Sequence, residues 1–237
     1  MGLFRVPRRR DDRLRKPAFP SSPQRHLSLT RRPQISSHGG LRAIVISHPH
    51  FYTTHLDWSH AFSCPVYTHA ADAAWFNRAD DSTSPSRVLL TDQTSEILPG
   101  VTAINIGGHF AGQLALHWAG HLFHADGFVN VPGSFTPRES RARIASTATS
   151  TTNTTSSSIG LTTFSFMWSV PNMVPLNPDE IWGIWCALRG FEFEVTHGLF
   201  VGWDVRSEDV KARLLESMKI QVRRMGWERH AVLEATV

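Results

Sequence analysis

The sequence predicts an α/β domain in which strands and helices alternate along the chain. Short apolar runs rich in β-branched residues, bounded by glycine, proline and polar residues, predict buried strands, and the first of them covers residues 41–47. Other segments carry apolar residues at helical spacing. A hydrophobic fraction of 41% in 237 residues is enough for one core of ordinary size. This alternation is typical of a sandwich of sheets and helices, in which the ends of several strands gather at one edge.

The first half of the chain is predicted to hold two helical segments and several short strands. A helix over residues 54–62 begins at a threonine cap and places its apolar side chains on one face. The β-branched alternation of residues 101–106 predicts a strand after a Pro-Gly turn. The other predicted elements are a helical segment over 70–76, strands over 64–68, 88–90 and 96–98, and a hairpin of 113–118 with 121–126.

Two helices and one strand are predicted in the second half. Asn177 as a cap, a proline at the first position and acidic residues in the first turn predict a helix that ends before Gly190. Residues 191–196 predict a strand. Ser207 is the predicted cap of a last helix that runs to about Met225, with apolar residues at helical spacing.

Two segments have compositions that oppose folding. Residues 1–38 carry ten Lys and Arg against two Asp and are rich in proline and serine, whereas residues 39–237 carry fourteen basic against eighteen acidic residues. Residues 136–160 form a Ser/Thr-rich tract with too little apolar surface to offset the entropy lost on ordering. We therefore predict a disordered basic arm over 1–38 and one folded domain over 39–230, with a disordered insertion at about 136–160.

Composition also bounds the partners and the compartment. The excess of positive charge belongs to the arm, so a nucleic acid is not expected as a partner of the body. No apolar run is long enough to span a membrane, and Cys64 and Cys186 are predicted to be buried thiols rather than a disulfide framework. Because the N-terminus lacks a secretory pattern, a cytoplasmic location is expected, with a mitochondrial presequence as the weaker alternative.

Histidines and one aspartate recur just beyond the predicted strand ends. Nine of the thirteen histidines fall between His48 and His124, and imidazole and carboxylate groups are the usual protein ligands of zinc. Because strand ends gather at one edge of an α/β sandwich, residues distant in sequence are expected to meet there around one ion. The candidate ligands are His48, His50, His109, Asp126 and His197.

The order and local sequences of these residues resemble the metallo-β-lactamase superfamily. Its members carry His-x-His-x-Asp-His, then a Gly-His loop, then an Asp after a strand, then a C-terminal His. The matching residues here are His48 and His50, Gly107-Gly108-His109, Asp126-Gly127 and His197. The resemblance covers about residues 41–225 apart from the Ser/Thr tract. It implies an αββα sandwich of the metallo-β-lactamase type, incomplete at its N-terminal sheet because only the basic arm precedes the His-x-His turn.

Two positions depart from the pattern of this family. Tyr52 and Thr53 stand where the family has an aspartate and a histidine, which leaves too few ligands for a second ion. His55 and Asp57 would replace them if the turn is wider than usual, whereas residues at a helix start more often cap the helix or are solvated. One Zn²⁺ ion is therefore expected rather than two.

The resemblance implies a zinc-dependent hydrolase that uses a metal-activated water on a small-molecule substrate. His48, His50 and His109 would hold the ion, which lowers the pKa of a bound water towards about 7. Asp126 would act catalytically by holding that water, and His124, predicted on the same strand face, would orient Asp126. The alternative is a catalytically inactive remnant of the fold that serves as a structural or interaction protein.

Overall fold

The computed structural model describes residues 3–7, 31–80, 86–137, 139–141, 143–144 and 161–237. The chain divides into two compact units, Gly2–Thr91 and Asp92–Val237, which we call the N-terminal and the C-terminal unit. The sequence had predicted a single domain over residues 39–230. Each unit contains its own sheet and its own buried cluster.

The N-terminal unit is built on a four-stranded sheet in the order β1-β2-β3-β4. Strand β1 is antiparallel to β2, while β2, β3 and β4 are parallel. Helix α2 lies between β2 and β3 in sequence, as parallel neighbours require a crossover connection. The bounds are β1 Leu3–Pro7, α1 Arg31–Ser37, β2 Leu41–Ile46, α2 His55–Phe62, β3 Val66–His69 and β4 Arg87–Leu90, with 3-10 turns at Pro49–Phe51 and Ala70–Trp75.

Two elements fall inside the segment predicted to be a disordered arm. The backbone of β1 pairs with β2, and α1 leads into the Gly39-Gly40 turn, at which the amide of Gly40 donates to the carbonyl of Ile35. Composition did not predict β1 because its hydrogen bonds are made to a strand more than thirty residues away. The sheet thus has a strand ahead of β2, where only the disordered arm was predicted. The rest of the predicted arm, residues 1–2 and 8–30, lies outside the described residues.

The N-terminal unit buries β2 on both faces from Ala43 to Ile46, and it buries one side of α2. Its cluster consists of apolar side chains on or next to these elements, and Tyr52 belongs to it with 2% of its surface exposed. The Trp58 and Phe62 rings stack at 5.9 Å, which matches the predicted apolar face of the helix. Cys64 is buried here as predicted, whereas Cys186 is exposed. The cluster members are Leu41, Ile44, Ile46, Tyr52, Trp58, Cys64 and Val66.

The C-terminal unit is built on a six-stranded sheet in the order β14-β13-β8-β7-β6-β5. Strands β5 to β8 form an antiparallel meander, β13 adds in parallel to β8, and β14 returns antiparallel to β13. The bounds are β5 Thr94–Leu98, β6 Val101–Asn105, β7 Leu114–Trp118, β8 His121–Phe123, β9 Val129–Asn130, β10 Phe164–Ser165, β11 Met167–Ser169, β12 Val174–Pro175, β13 Val195–His197 and β14 Asp204–Arg206.

Three helices provide most of the core of the C-terminal unit: α3 Pro178–Leu188, α4 Val210–Arg224 and α5 Ala231–Glu234. Helix α3 begins as predicted, because the Asn177 side chain accepts from the amide of Glu180 and the Glu180 carboxylate accepts from the amide of Asn177. The predicted apolar faces of α3 and α4 are both buried. The cap of α4 is Asp209 rather than the predicted Ser207.

The first part of the predicted insertion at 136–160 is ordered among the residues that the structure describes. Arg141 is buried, and its guanidinium donates to the Glu216 carboxylate at 2.6 Å and to the Leu161 carbonyl at 2.8 Å. A charge-assisted contact to α4 thus orders residues that offer little apolar surface. Residues 145–160 lie outside the described residues.

The structure is a mixed α/β fold with several sheets, as the class predicted from the sequence requires. Among the residues that the structure describes, every helix is too short or too polar to cross a bilayer.

Candidate metal centre

The first pair of candidate ligands lies directly after β2 in the N-terminal unit. The strand ends at Ile46, and Pro49 begins the 3-10 turn, so the chain reverses between the two histidines. His48 Nε2 lies 3.2 Å from His50 Nδ1, and the Ser47 hydroxyl lies 3.0 Å from His48 Nδ1. Two nitrogens that bind one tetrahedral zinc ion at about 2.0–2.1 Å are about 3.3–3.4 Å apart. The spacing of this pair therefore fits neighbouring ligands of one ion.

Tyr52 occupies its position because of packing. Its ring is buried 4.9 Å from the Phe76 ring, and burial, followed by the nearby Asp72 carboxylate, raises the pKa of its phenol above the ordinary value. A phenol held neutral in an apolar cluster cannot replace the carboxylate of the family pattern.

The two proposed replacements, His55 and Asp57, are engaged in other contacts. His55 Nδ1 donates to the Tyr52 carbonyl at 2.8 Å, and its Nε2 accepts from the Arg87 guanidinium at 2.9 Å. Burial lowers the pKa of His55 to about 4. Asp57 accepts two hydrogen bonds from Arg78, at 3.0 and 3.1 Å. Both side chains hold the start of α2 in place, so the alternative in which they bind a second ion is not supported.

The second pair, His109 and Asp126, lies in the C-terminal unit. His109 Nδ1 is 2.7 Å from the carbonyl oxygen of Trp168, and its Nε2 is 3.8 Å from Asp126 Oδ2. Because a carbonyl only accepts, the proton of a neutral His109 is on Nδ1, and Nε2 presents its lone pair on the side of Asp126. A carbonyl behind the ring and a ligand atom in front of it is the usual arrangement of a metal-binding histidine.

A glycine pair allows His109 to reach this position. Gly107 and Gly108 have φ of +64° and +84°, a region that side chains disfavour. A Cβ on Gly108 would also lie 2.9 Å from the Leu176 side chain and 3.2 Å from that of Ile184. The loop therefore passes so close to Leu176 and Ile184 that a residue larger than glycine would not fit at position 108.

Asp126 was predicted to end a strand, but the structure places it in a turn after the strand. Strand β8 stops at Phe123, and residues 124–128 form a turn closed by the amide of Phe128 and the carbonyl of Ala125, at 3.3 Å. His124 is buried in this turn, and its Nδ1 donates to the Phe128 carbonyl at 2.8 Å. The predicted pairing of His124 with Asp126 on one strand face is therefore wrong, because the alternation of a strand does not continue through the turn.

His197 ends strand β13 as predicted, within a chain of hydrogen bonds across the sheet. Its Nδ1 lies 2.9 Å from Asp204 Oδ1 on β14, and its Nε2 lies 2.8 Å from His121 Nδ1 on β8. The Phe123 ring stacks on it at 4.5 Å. His121 was given no role from the sequence, because only the parallel register of β8 and β13 brings it to His197.

The contacts that orient the candidate ligands were likewise not predicted. The Trp168 carbonyl is 59 residues from His109 and belongs to β11, and nothing in the local sequence points to it. Ser47, which contacts the ring of His48, is adjacent to it in sequence. The Ser-His-x-His run was therefore the one local signal that could have indicated an orienting contact.

No family model matches the chain. One curated relative, the uncharacterized protein YmaE of Bacillus subtilis (strain 168), is 28% identical over 167 residues, which cover 70% of this chain and 52% of the relative. The chain thus spans about half the length of this relative.

Solved structures similar to this chain include two di-iron proteins and a metallo-β-lactamase. The chemotaxis sensor ODP, in its peroxy diiron species, aligns with a TM-score of 0.51 and 14% identity over 82% of this chain and 79% of its own. A B3 metallo-β-lactamase with an active-site glutamic acid has a TM-score of 0.45 and 10% identity, over 84% and 77% of the two chains. TTHA1623 in a di-iron-bound form has a TM-score of 0.42 and 16% identity, over 82% and 84%. The chain is therefore similar in fold to the chemotaxis sensor.

Proposed function

We propose that the chain is a zinc-dependent hydrolase of the metallo-β-lactamase type. The observation that carries this proposal is the setting of His109, whose Nδ1 is held by a backbone carbonyl while its Nε2 lies on the side of the Asp126 carboxylate. A second histidine pair with ligand-like spacing follows β2 in the N-terminal unit. These residues stand in the order that the family resemblance requires.

The proposed ligand set is the one that the family resemblance implies: His48, His50, His109 and Asp126. Three imidazoles and one carboxylate suit zinc, which takes nitrogen and oxygen ligands and can expand from four-coordinate to five-coordinate when water also binds. We propose a single ion, because Tyr52 is buried in an apolar cluster and His55 and Asp57 are engaged by Arg87 and Arg78.

When bound, zinc supplies a Lewis acid that polarises a carbonyl or ester oxygen and activates water. The protein residues then have distinct roles. The Trp168 carbonyl keeps the proton of His109 on Nδ1, so that Nε2 stays available as a ligand. One oxygen of the Asp126 carboxylate, half-buried in its turn, would bind the ion, and the other oxygen would accept a hydrogen bond from the attacking water and orient it. The substrate is proposed to be a small molecule with a hydrolysable carbonyl or ester bond.

Elemental analysis of the purified chain, combined with hydrolysis assays on lactam, lactone and thioester substrates, tests this proposal. We expect one zinc per chain and hydrolysis that a chelator abolishes. His109→Ala should lose both, whereas His60→Ala, which changes an exposed histidine of α2, should lose neither. Iron in place of zinc would overturn the assignment of the metal. Absence of any metal from the folded protein would overturn the proposal that the chain is a metal-dependent enzyme.

A catalytically inactive remnant is the second candidate, and the buried Tyr52 favours it. Tyr52 completes the core at a position where the family resemblance implies a metal ligand, which supports a replacement of that ligand by packing. If the chain binds zinc at full stoichiometry yet hydrolyses none of the substrates, the remnant that retains its metal becomes the better description.

A further inference from the structure

The hairpin of β11 and β12, residues 167–175, exposes large apolar side chains beside a candidate ligand. Trp168, Met173 and Val174 have exposed fractions of 56%, 76% and 39%, and we call these three side chains the apolar patch. Large apolar side chains that are exposed together, unlike single ones, mark a binding surface. The other exposed large apolar side chains in the described part of the C-terminal unit are Trp118, Phe135, Phe200, Val201, Trp227 and Val237.

The register of the hairpin brings the members of the apolar patch together. Ser169 pairs with Val174, and the register shifts just before Ser169. Trp168 is therefore the extra residue of a bulge, which places it opposite Val174 as well. Met167 is buried and its neighbour Trp168 is exposed, so the Trp168 ring lies on the outer face of the hairpin. Met173 precedes Val174 in the chain and extends the patch to the turn.

Both ends of the hairpin contact the loop that carries His109. The carbonyl oxygen of Trp168 lies 2.7 Å from His109 Nδ1. At the other end, the amide of Leu176 donates to the Phe166 carbonyl at 3.0 Å. The Leu176 side chain is 2.9 Å from the position that a Cβ on Gly108 would take. The apolar patch thus includes the residue whose backbone orients a candidate metal ligand.

Met173 has a backbone conformation that glycine usually adopts. Its amide donates to the Val170 carbonyl at 3.2 Å, which closes the turn, and its φ is +55°. Glycine or asparagine commonly fills a left-handed position in a hairpin turn, because a Cβ raises the energy there. A strained residue that persists in a fold points to a use of its side chain. The flexible thioether of methionine adapts to apolar ligands of varied shape.

The neighbouring site determines what the apolar patch binds. A substrate whose reacting carbonyl lies at His109 and Asp126 would place its remaining part on the adjoining surface, and the hairpin carries no charged residue. Three side chains are too few for a stable protein interface, which takes about 20–30 residues on each side. We propose that the apolar patch binds the acyl chain of the substrate, so that medium-chain acyl esters are preferred over acetyl esters. That the ligand is a substrate rests on the proposed function.

Methionine-methyl labelling tests this binding without requiring turnover. The chain has five methionines, and Met173→Gly identifies the methyl resonance of Met173 in the ¹³C-labelled protein. We expect octanoate to shift this resonance in a saturable manner and acetate to leave it in place. Affinity should rise about twofold for each added methylene, which is roughly half the energy of full burial. The resonance of the buried Met218 should not move.

Two tryptophan variants assign the ligand to the apolar patch. Trp168→Ala removes the ring and keeps the carbonyl that contacts His109, and we expect octanoate to bind about tenfold more weakly. Trp227→Ala is the matched control, because Trp227 follows α4 and has a similar exposed fraction of 48%. Equal affinity in the two variants would overturn the proposal. If Trp168→Ala does not fold, the Met173 resonance of the parent chain decides, and a resonance that octanoate leaves unmoved would refute the proposal.

Hydrolysis of 4-nitrophenyl esters separates this inference from the proposed function. We expect kcat/KM for the octanoyl ester to exceed that for the acetyl ester, and Trp168→Ala to reduce this ratio about tenfold. A parent chain that binds octanoate at the apolar patch but hydrolyses no ester would contradict the proposed function and leave the apolar site intact. Equal kcat/KM for the two esters would contradict the binding of the acyl chain and leave the hydrolase intact.

Discussion

His109 Nε2 and Asp126 Oδ2 are 3.8 Å apart in the C-terminal unit, although 17 residues separate them and neither belongs to a strand. The separation exceeds that of a hydrogen bond and is a few tenths of an ångström longer than the about 3.3–3.4 Å between two ligand atoms of one tetrahedral ion, so a small movement of either side chain would bring the two atoms to ligand spacing. The two loops that carry them leave β6 and β8, which are joined through β7. The rigid sheet thus sets the distance between the two groups.

Replacing Asp126 with Asn should weaken zinc binding. The variant keeps the size of the side chain but removes the negative charge that offsets the ion, so we expect about 10–100-fold lower affinity. Competition with a chromophoric chelator measures this change. Asp179→Asn, which alters an exposed carboxylate at the start of α3, is the matched control. Equal affinity in the two variants would remove Asp126 from the ligand set.

Substitution at Tyr52 should affect folding rather than metal stoichiometry. From sequence alone, Tyr52→Asp with Thr53→His would be expected to restore a second metal position. The structure buries Tyr52, and loss of a large buried aromatic ring costs about 3–5 kcal/mol. Tyr52→Asp should therefore unfold at much lower urea concentration than Tyr52→Phe, which keeps the ring. A folded double variant with two zinc ions per chain would contradict this account.

Stability should fall as the pH is lowered from about 6.5 towards 4. His55 has its pKa lowered to about 4 by burial, while in the unfolded chain it titrates near 6.5. Between these values the unfolded state binds the proton and the folded state does not, so acid favours unfolding. Burial also lowers the pKa of His124 to about 4 and acts in the same direction.

Urea midpoints measured between pH 7.5 and 4.5 test the contribution of His55. His55→Gln should show a smaller decline than the parent chain, whereas His60→Gln, at an exposed position, should decline like the parent. Identical slopes for His55→Gln and the parent would mean that His55 is not the titrating group.

Removal of His197 should leave zinc stoichiometry at one per chain. The sequence places His197 among the ligands, but its two ring nitrogens lie within hydrogen-bond distance of Asp204 and His121. We therefore expect His197→Ala to disturb the contact of β8 with β13 and to lower Tm, without loss of the ion. Elemental analysis alongside thermal unfolding checks both parts. Loss of zinc from folded His197→Ala would restore His197 to the ligand set.

Local sequence was sufficient to predict those elements whose stabilising interactions are made between residues that are neighbours in the chain. Residues within a few positions of each other predicted the cap and apolar face of α3 and the apolar face of α4. They also predicted the His-x-His turn after β2. Each depends on backbone hydrogen bonds or side-chain periodicity that close within one or two turns. The candidate ligands were found in the same way, because each lies in or next to a recognisable local pattern.

Tertiary structure decided which groups these residues contact. Four of these contacts join residues far apart in sequence. They are the pairing of β1 with β2, the Arg141–Glu216 ion pair, the contact of the Trp168 carbonyl with His109 and the His121–His197 contact. Their formation depends on strand order and register, and a shift of register by one residue would turn every side chain to the other face. The sequence therefore identified the candidate ligands, and the strand order and register within each unit determined which groups each candidate contacts.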